Sequence, residues 1–366
     1  MHGFVENKIY IQPLGILRGC VASEAVKAGH ARLLAGGPLA FSMVRIIFRE
    51  DRGQRHEKLH PVSGLEGYVA GLTTSQQETI SGLLKNICGI RPALKAGNGR
   101  ILSDWKHPLL QGIVNVTPDS FSDGGQYNRS DQAVAHARDL IRQGADIIDI
   151  GGESTRPGAE KITVEKELQR VIPVIEKLSD ISVAISIDTR NAEVMDRALA
   201  AGATIVNDVS ALSHDKAALD MVGKAGCLVI LMHARNNPDT MQDDPRYDDV
   251  LLDVYDYLES RLEVCRTSGI MKDRIIIDPG IGFGKTVAHN MELMAGLSLF
   301  HGLGVPVLLG VSRKSFIGHI TGEKEAGRRL AGSLAFAQAG YDQGVQILRV
   351  HDVLDSRQAR DAWISL

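Results

Sequence analysis

The strongest constraint on this chain is a rhythm that begins near residue 110. Short, continuous runs of β-branched and other apolar residues alternate with stretches of helical period. The runs lie at 112–117, 146–152, 183–189, 205–210, 228–233, 274–280, 305–312 and 346–352. None alternates apolar with polar residues, which is the pattern of parallel strands covered on both faces. Between them, segments such as 131–143, 164–178, 192–201, 215–224 and 249–267 place apolar residues at helical spacing. Gly144, Gly202, Gly226 and Gly269 stand where helices commonly end. Eight such units over residues 107–366 predict an α/β chain folded as a (β/α)8 TIM barrel. An open, doubly wound sheet is the alternative, and it normally has fewer strands.

The polar residues sharpen the expectation. Almost every run ends in them: Asn115, Asp149, Asp188, Asn207 with Asp208, His233, Asp278, Ser312, and Arg349 with His351. In a barrel the C-terminal strand ends converge on one face, where active sites are built. Eight polar ends in register are poorly explained by solubility.

Composition removes other function classes. Lys and Arg number 41 against 44 Asp and Glu, a net charge of −3, which argues against a nucleic-acid binder. Apolar residues make up 44% of the chain, enough for a large core. No apolar run has the length of a membrane span, and the first twelve residues lack the apolar stretch of a secretory signal. Cys20, Cys88, Cys227 and Cys265 are far apart and form no CxxC, so they read as reduced thiols of a cytoplasmic protein with no cysteine-held metal.

Several loops carry chemistry. Residues 115–125 (NVTPDSFSDGG) and 151–158 (GGESTRPG) follow the first two strands. The first offers Asn, Thr, Asp and Ser groups that suit a metal-bound phosphate, and the second holds Arg156 in a Pro-stiffened turn that suits an anion. Of Asp188, Asp208 and Asp278, two or three would point carboxylates into the barrel mouth, together with the amide of Asn207. They suit a heterocycle with an amidine-like edge, a metal, or a polar core network. Ser312-Arg313-Lys314 and Arg349 with His351 end strands seven and eight, a frequent anion site in barrels. Residues 282–286 (GFGKT) imitate a phosphate loop, but Pro279 occupies the place of its first glycine, so Lys285 is expected to be a helix-start charge or a minor contact. Neither a Ser-His-Asp arrangement nor HExxH appears.

The segments GIVNVTPDSFSDGG, DIIDIGGESTRPGA, SIDT, ATIVNDVSA, IIDPGIGFGK, GVSRKS and ILRVHDV resemble those of the dihydropteroate synthase family, in that family's order, over residues 107–366. One loop departs: Ala234-Arg235-Asn236 follows His233 where the family commonly has Met-Gln-Gly. The resemblance implies a TIM-barrel homodimer that joins 4-aminobenzoate to 6-hydroxymethyl-dihydropterin diphosphate with Mg2+, releasing diphosphate, in the enzyme class that sulfonamides target. It implies pterin binding by Asp188, Asn207, Met232, Asp278 and Lys314. Diphosphate would meet Asn115, Arg156, Arg349 and His351, with Asn115 also at the metal. Phe121, Thr155, Pro157, Ser312 and Arg313 would frame aminobenzoate, and Asp188, Asp278, Lys314, Arg349 and His351 would carry the catalysis. A corrinoid-dependent methyltransferase barrel and a non-catalytic pterin-binding paralogue are the alternatives.

Residues 1–100 lie outside the resemblance. A strand at 42–49, helices at 23–34 and 75–87, and a linker at 95–100 predict either a small α/β domain or an extension capping the barrel.

Overall fold

Two kinds of strand sequence give two kinds of sheet. The computed structural model describes residues 8–50, 55–95, 101–103, 105, 107–116, 126–153, 162–235 and 245–366. The N-terminal part holds β1 (Lys8–Leu17), α1 (Gly19–Lys27), β2 (Arg32–Leu33), β3 (Ala40–Arg49), β4 (Arg55–Pro61), α2 (Leu65–Ala70) and α3 (Thr74–Cys88). Apolar β3 is the centre of an antiparallel sheet, with β1 on one side and β2 and β4 on the other. Polar β4 (RHEKLHP) forms an exposed edge, where charged side chains discourage further pairing. The strand expected at 42–49 and the helix expected at 75–87 lie within β3 and α3. The helix expected at 23–34 is instead α1, ending before Gly29 at φ +73°. Thr73 caps α3 reciprocally with Gln76. A short hairpin follows, β5 (Leu94–Lys95) with β6 (Ile101–Ser103).

The remainder is the barrel: β7 (Leu109–Asn115), α4 (Gln126–Gln143), β8 (Ile147–Gly151), α5 (Val164–Lys177), β9 (Ala184–Asp188), α6 (Ala192–Ala201), β10 (Ile205–Asp208), α7 (Ala218–Ala225), β11 (Leu228–Met232), α8 (Val250–Thr267), β12 (Ile275–Asp278), α9 (Val287–Ala295), β13 (Leu308–Leu309), α10 (Ser315–Thr321), α11 (Leu330–Tyr341), β14 (Ile347–Val350) and α12 (Val353–Ile364). All eight strands pair in parallel, from β12 back through β7 to β14 and β13. An Ile277–Val307 bridge brings β12 beside the β13 segment and closes the ring. β13 is much shorter than the expected 305–312. Pro306 has no N–H to give a ladder, although its carbonyl accepts from Ile277 N at 3.0 Å.

Strand alternation sorts the barrel's residues. Outward positions such as Ile148, Ile150, Ile185, Ile187, Val229 and Ile277 pack beneath the helices. Inward, the N-terminal ends supply Leu109, Ile147, Ala184, Ile205, Leu228, Ile276, Leu308 and Ile347, an apolar plug closed from below by Leu94 and half-buried Trp105. Two residues further along six of the strands the inward positions are polar (Gln111, Asp149, Ser186, Asn207, Asp278 and Arg349), whereas β11 keeps Ile230 in the plug and Gly310 follows β13.

The N-terminal sheet docks against the barrel's flank. Asp249, Asp253, Asp256 and Glu259 recur every three or four residues at α8, forming one acidic stripe. Arg55 pairs with Asp249, Arg49 with Asp253 and Asp256, and Lys8 with Asp256 and Glu259. Tyr10 donates its hydroxyl to Asp256 at 2.8 Å and meets Tyr255 edge-on, with ring centroids 5.3 Å apart. Ser298 Oγ donates to Pro13 O and Asn86 Nδ2 to Gly302 O, each at 2.8 Å. The sheet's apolar residues and those of the barrel's outer shell form one continuous cluster.

Candidate active site

Because β7–β14 run parallel, their inward C-terminal residues meet at one mouth. Register places Asp188 beside Asn207 and Gly151, and Met232 beside Asp278. All four side-chain-bearing members of that ring are buried. Gly151 marks where two side chains meet: a Cβ there would lie in ordinary contact, 3.6 Å from Asp188 Oδ2 and 3.8 Å from Asn115 Oδ1. Asn115, half-buried at the end of β7, therefore shares this corner with Asp188.

Arg349 crosses the mouth from β14. Its Nε donates to Asp149 Oδ2 at 2.6 Å and its Nη2 to Asp188 Oδ2 at 2.8 Å. Asn207 Nδ2 donates to the same Asp149 oxygen at 3.1 Å, while Asp149 Oδ1, fully buried, has no hydrogen-bond partner among the described residues. Burial drives the Asp188 carboxyl up, to about 7. The nearby carboxylates of Asp149, Glu167 and Asp208 push the same way, and the Arg349 guanidinium opposes them. For Arg349, burial alone favours loss of charge, but Asp149 and Asp188 overcome it and hold the guanidinium charged.

A second pair lies across the ring. Asp278 Oδ1 accepts from Gly280 N at 2.7 Å. Lys314, at the N-cap of α10, donates to Ile281 O and lies over the Phe283 ring. A Cβ at Gly310 would sit 3.9 Å from Lys314 Nζ, 3.9 Å from Arg349 Cβ and 4.0 Å from Asp278 Oδ2, so the bare glycine keeps this space open between three ionic residues. Burial lowers the Lys314 ammonium to about 8, partly offset by Asp278, and burial raises the Asp278 carboxyl.

Ser312 links the last two strands. Its Oγ accepts from His351 N at 3.1 Å and lies 3.0 Å from His351 Nδ1. Arg313 forks onto Asp352, with Nε at 3.0 Å from Oδ2, so its charge has a counter-ion within the chain. Phe121, Thr155, Arg156 and Pro157 lie outside the described residues, as does most of the unusual loop after Arg235.

Two sequence expectations need correction. Asp208 does not join the mouth. It points outward, where Oδ1 accepts from Ser210 N at 2.7 Å and Oδ2 from Leu212 N at 2.9 Å. These bonds brace a turn whose Ala211 and Leu212 both have positive φ. Adjacent residues of a strand face opposite sides, so alternation alone separates Asp208 from Asn207. Lys285 is not a helix-start charge. Its ammonium is buried, donating to Gly280 O at 2.8 Å and Phe283 O at 3.0 Å and lying 2.9 Å from His233 Nδ1. Burial, and then Lys285, hold His233 far below the usual imidazole range. This strut ties the end of β11 to the loop after β12 and so sets the backbone around Asp278. Gly280, at φ +69°, is required there: a Cβ would come within 1.9 Å of His233 O.

Asp149 is the residue whose site role the motifs did not single out. Its inward register, one alternation before Gly151, was the available signal. Its use as a shared acceptor depends on Arg349, 200 residues away.

The description "Pterin binding enzyme" is that of the family whose model matches residues 111–351. The dihydropteroate synthase of Escherichia coli strain K12 is 48% identical over 259 residues, which are 70% of this chain and 90% of that protein. The chain belongs to the dihydropteroate synthase family. Solved members of the family share the barrel. The Xanthomonas albilineans dihydropteroate synthase with 4-aminobenzoic acid superposes with a TM-score of 0.70 at 46% identity, covering 75% of this chain and 98% of that one. The same enzyme in complex with 7,8-dihydropteroate gives 0.68 at 45%, with the same coverage. Nearly all of that synthase is thus matched by three quarters of this chain, and the remaining quarter has no counterpart in it.

Proposed function

We propose that this protein catalyses the condensation of 6-hydroxymethyl-7,8-dihydropterin diphosphate with 4-aminobenzoate, giving 7,8-dihydropteroate and diphosphate in folate biosynthesis. The observation that carries this reading is the mouth itself. Buried Asp188, Asn207 and Asp278 face inward beside Lys314 and Arg349, at the catalytic end of a barrel whose relatives are dihydropteroate synthases.

The pterin's amino-pyrimidine edge offers N–H donors. Asp188 and Asp278 accept from it, Asn207 both donates and accepts, and Met232 supports the ring plane. Asp149 takes no ligand in this scheme. It fixes Arg349 and Asn207, so the guanidinium enters the reaction already oriented. Arg349 and His351 face the diphosphate, with Arg156 assigned to the same group. In the reaction the bond between the exocyclic methylene and the diphosphate oxygen breaks. A bond forms from that carbon to the amine nitrogen of 4-aminobenzoate, which gives up one of its protons to solvent. Positive charge developing on the pterin is stabilised by preorganised buried carboxylates rather than by water. Aminobenzoate is assigned to Phe121, Thr155, Pro157, Ser312 and Arg313, and sulfonamides to the same place.

Mg2+ fits this arrangement only as a lightly held ion. Among the described residues no three His, Cys, Asp or Glu side chains cluster as a metal cage. Asn115 Oδ1 at the mouth suits a hard cation that takes its other ligands from phosphate oxygens and water. Bound there, Mg2+ would neutralise the leaving diphosphate. We further propose a cytoplasmic homodimer. No described helix is long and apolar enough to cross a membrane.

The test is a steady-state assay with both substrates and Mg2+. Formation of dihydropteroate equimolar with diphosphate is expected. Tight pterin binding with no condensation would make the protein a non-catalytic pterin binder.

A further inference from the structure

A second cavity lies at the other end of the barrel, in the seam between the N-terminal extension and the starts of β7 and β14. Its volume is about 370 Å3, within the range of small-molecule sites. Trp105, Tyr341 and Trp363 give it aromatic walls, and Arg18, Arg91 and His107 line it as well. No Asp or Glu side chain is among its described lining residues.

Arg91 makes this more than a packing gap. It is only 4% exposed, and its guanidinium has no carboxylate partner among the described residues. Nη1 donates to Asn86 O and Gly89 O, and Nη2 to His301 O, with His301 Nδ1 3.4 Å away, while among the described residues the buried Nε has no partner. His301 supplies no counter-charge: it is fully buried, Nε2 lies 2.9 Å from Gln343 O, and burial and then Arg91 lower it to about 3. Arg18 meets one carboxylate, Asp342, at 3.6 Å. The hydroxyl of buried Tyr341 also has no hydrogen-bond partner among the described residues. A buried cation is costly without an anion, and a buried donor is costly without an acceptor.

We propose that this cavity is a binding site for a small aromatic carboxylate, its ring against the Trp105 side chain and the Tyr341–Trp363 pair, whose ring centroids lie 5.2 Å apart, and its carboxylate toward the arginines. The site exists only where the extension meets the barrel, so its occupant ties the two together and stabilises the folded chain. It is separate from the catalytic mouth.

The chain's only two tryptophans, Trp105 and Trp363, both line this cavity, so their emission reports on it and not on the mouth. The full chain is titrated with benzoate, following tryptophan emission excited at its red edge together with the melting temperature. A saturable emission change and a rise in melting temperature are expected. Benzamide, which has the same shape without the charge, is expected to bind at least about tenfold more weakly, the loss of one charge-assisted contact. Arg91→Met should reduce benzoate affinity about tenfold or more. Because Arg91 also holds backbone carbonyls, Arg18→Ala, on an accessible side chain, serves as the second variant and should weaken benzoate several-fold. No saturable emission change, equal binding of benzoate and benzamide, or benzoate affinity unchanged in both variants would overturn the proposal.

Discussion

The two ends of one barrel are built from the same strands and do opposite work. At the N-terminal end, the inward residues of β7–β14 are an apolar layer sealed by Leu94 and Trp105. Two residues further along β8, β9, β10, β12 and β14, the inward positions are Asp149, Ser186, Asn207, Asp278 and Arg349. The first layer is stabilised by removing apolar surface from water. The second gives up such stabilisation: it buries carboxylates whose charge is expensive there, with an unpartnered oxygen left on Asp149. A few ångströms of strand separate a layer chosen for stability from one chosen for chemistry. The mouth is therefore held in place by the plug beneath it and by β14, rather than by its own favourable energetics.

Strand β14 offers the most direct way to break this contrast, because Ile347 and Arg349 face inward on it two residues apart. Arg349→Ala leaves Asp149 and Asp188 buried without their cation. Synthase kcat/KM is expected to fall about 10^3-fold, with about 3–5 kcal/mol lost in stability. Ile347→Ala should cost about 2–5 kcal/mol by leaving a cavity, yet keep turnover per folded molecule near wild type. Assays and denaturant unfolding of the two variants decide the matter: equal kinetic loss in both would erase the distinction. Asp188→Asn comes next. Replacing one charge-assisted acceptor at the mouth should weaken a pterin analogue roughly tenfold to a hundredfold in calorimetry. An unchanged affinity would remove Asp188 from the pterin edge.

His351→Ala should separate ligands rather than residues. Diphosphate-bearing pterin is expected to lose about tenfold in affinity while a pterin lacking diphosphate loses almost none. Equal losses would make the Ser312–His351 contact purely structural. The smallest effect concerns pH. Asp188 titrates near 7 because burial raises it, and only its ionised form accepts both ligand N–H groups. Affinity for a pterin analogue should therefore rise several-fold between pH 6 and pH 8 and level off above. The Asp188→Asn variant should lose that rise. A flat profile in the parent protein would show that the carboxylate is ionised throughout.

Much of this was legible in residue order. Continuous apolar runs such as 146–152 announce buried parallel strands, and eight of them announce closure into a barrel. Period-two alternation then states which residues look inward, and it places Asp188, Asn207 and Asp278 at the mouth without any coordinates. The same rule separates Asp208 from Asn207, although residue type alone groups them. Chemistry and alternation are local properties, so a sequence carries them directly.

Partnership is not local. Nothing near Asp149 indicates that its one oxygen serves both Asn207 and Arg349. Nothing near Lys285 indicates that its ammonium is buried against His233 and Gly280. The acidic stripe of α8 reads as a solvated helix face until Lys8, Arg49 and Arg55 arrive from the extension. Residue order is enough to specify the strands, their facing and the residue types of the mouth. Which charges neutralise one another, and which seam holds Arg91, buried with no carboxylate partner among the described residues, was decided by ring closure and docking, which bring together residues hundreds of positions apart.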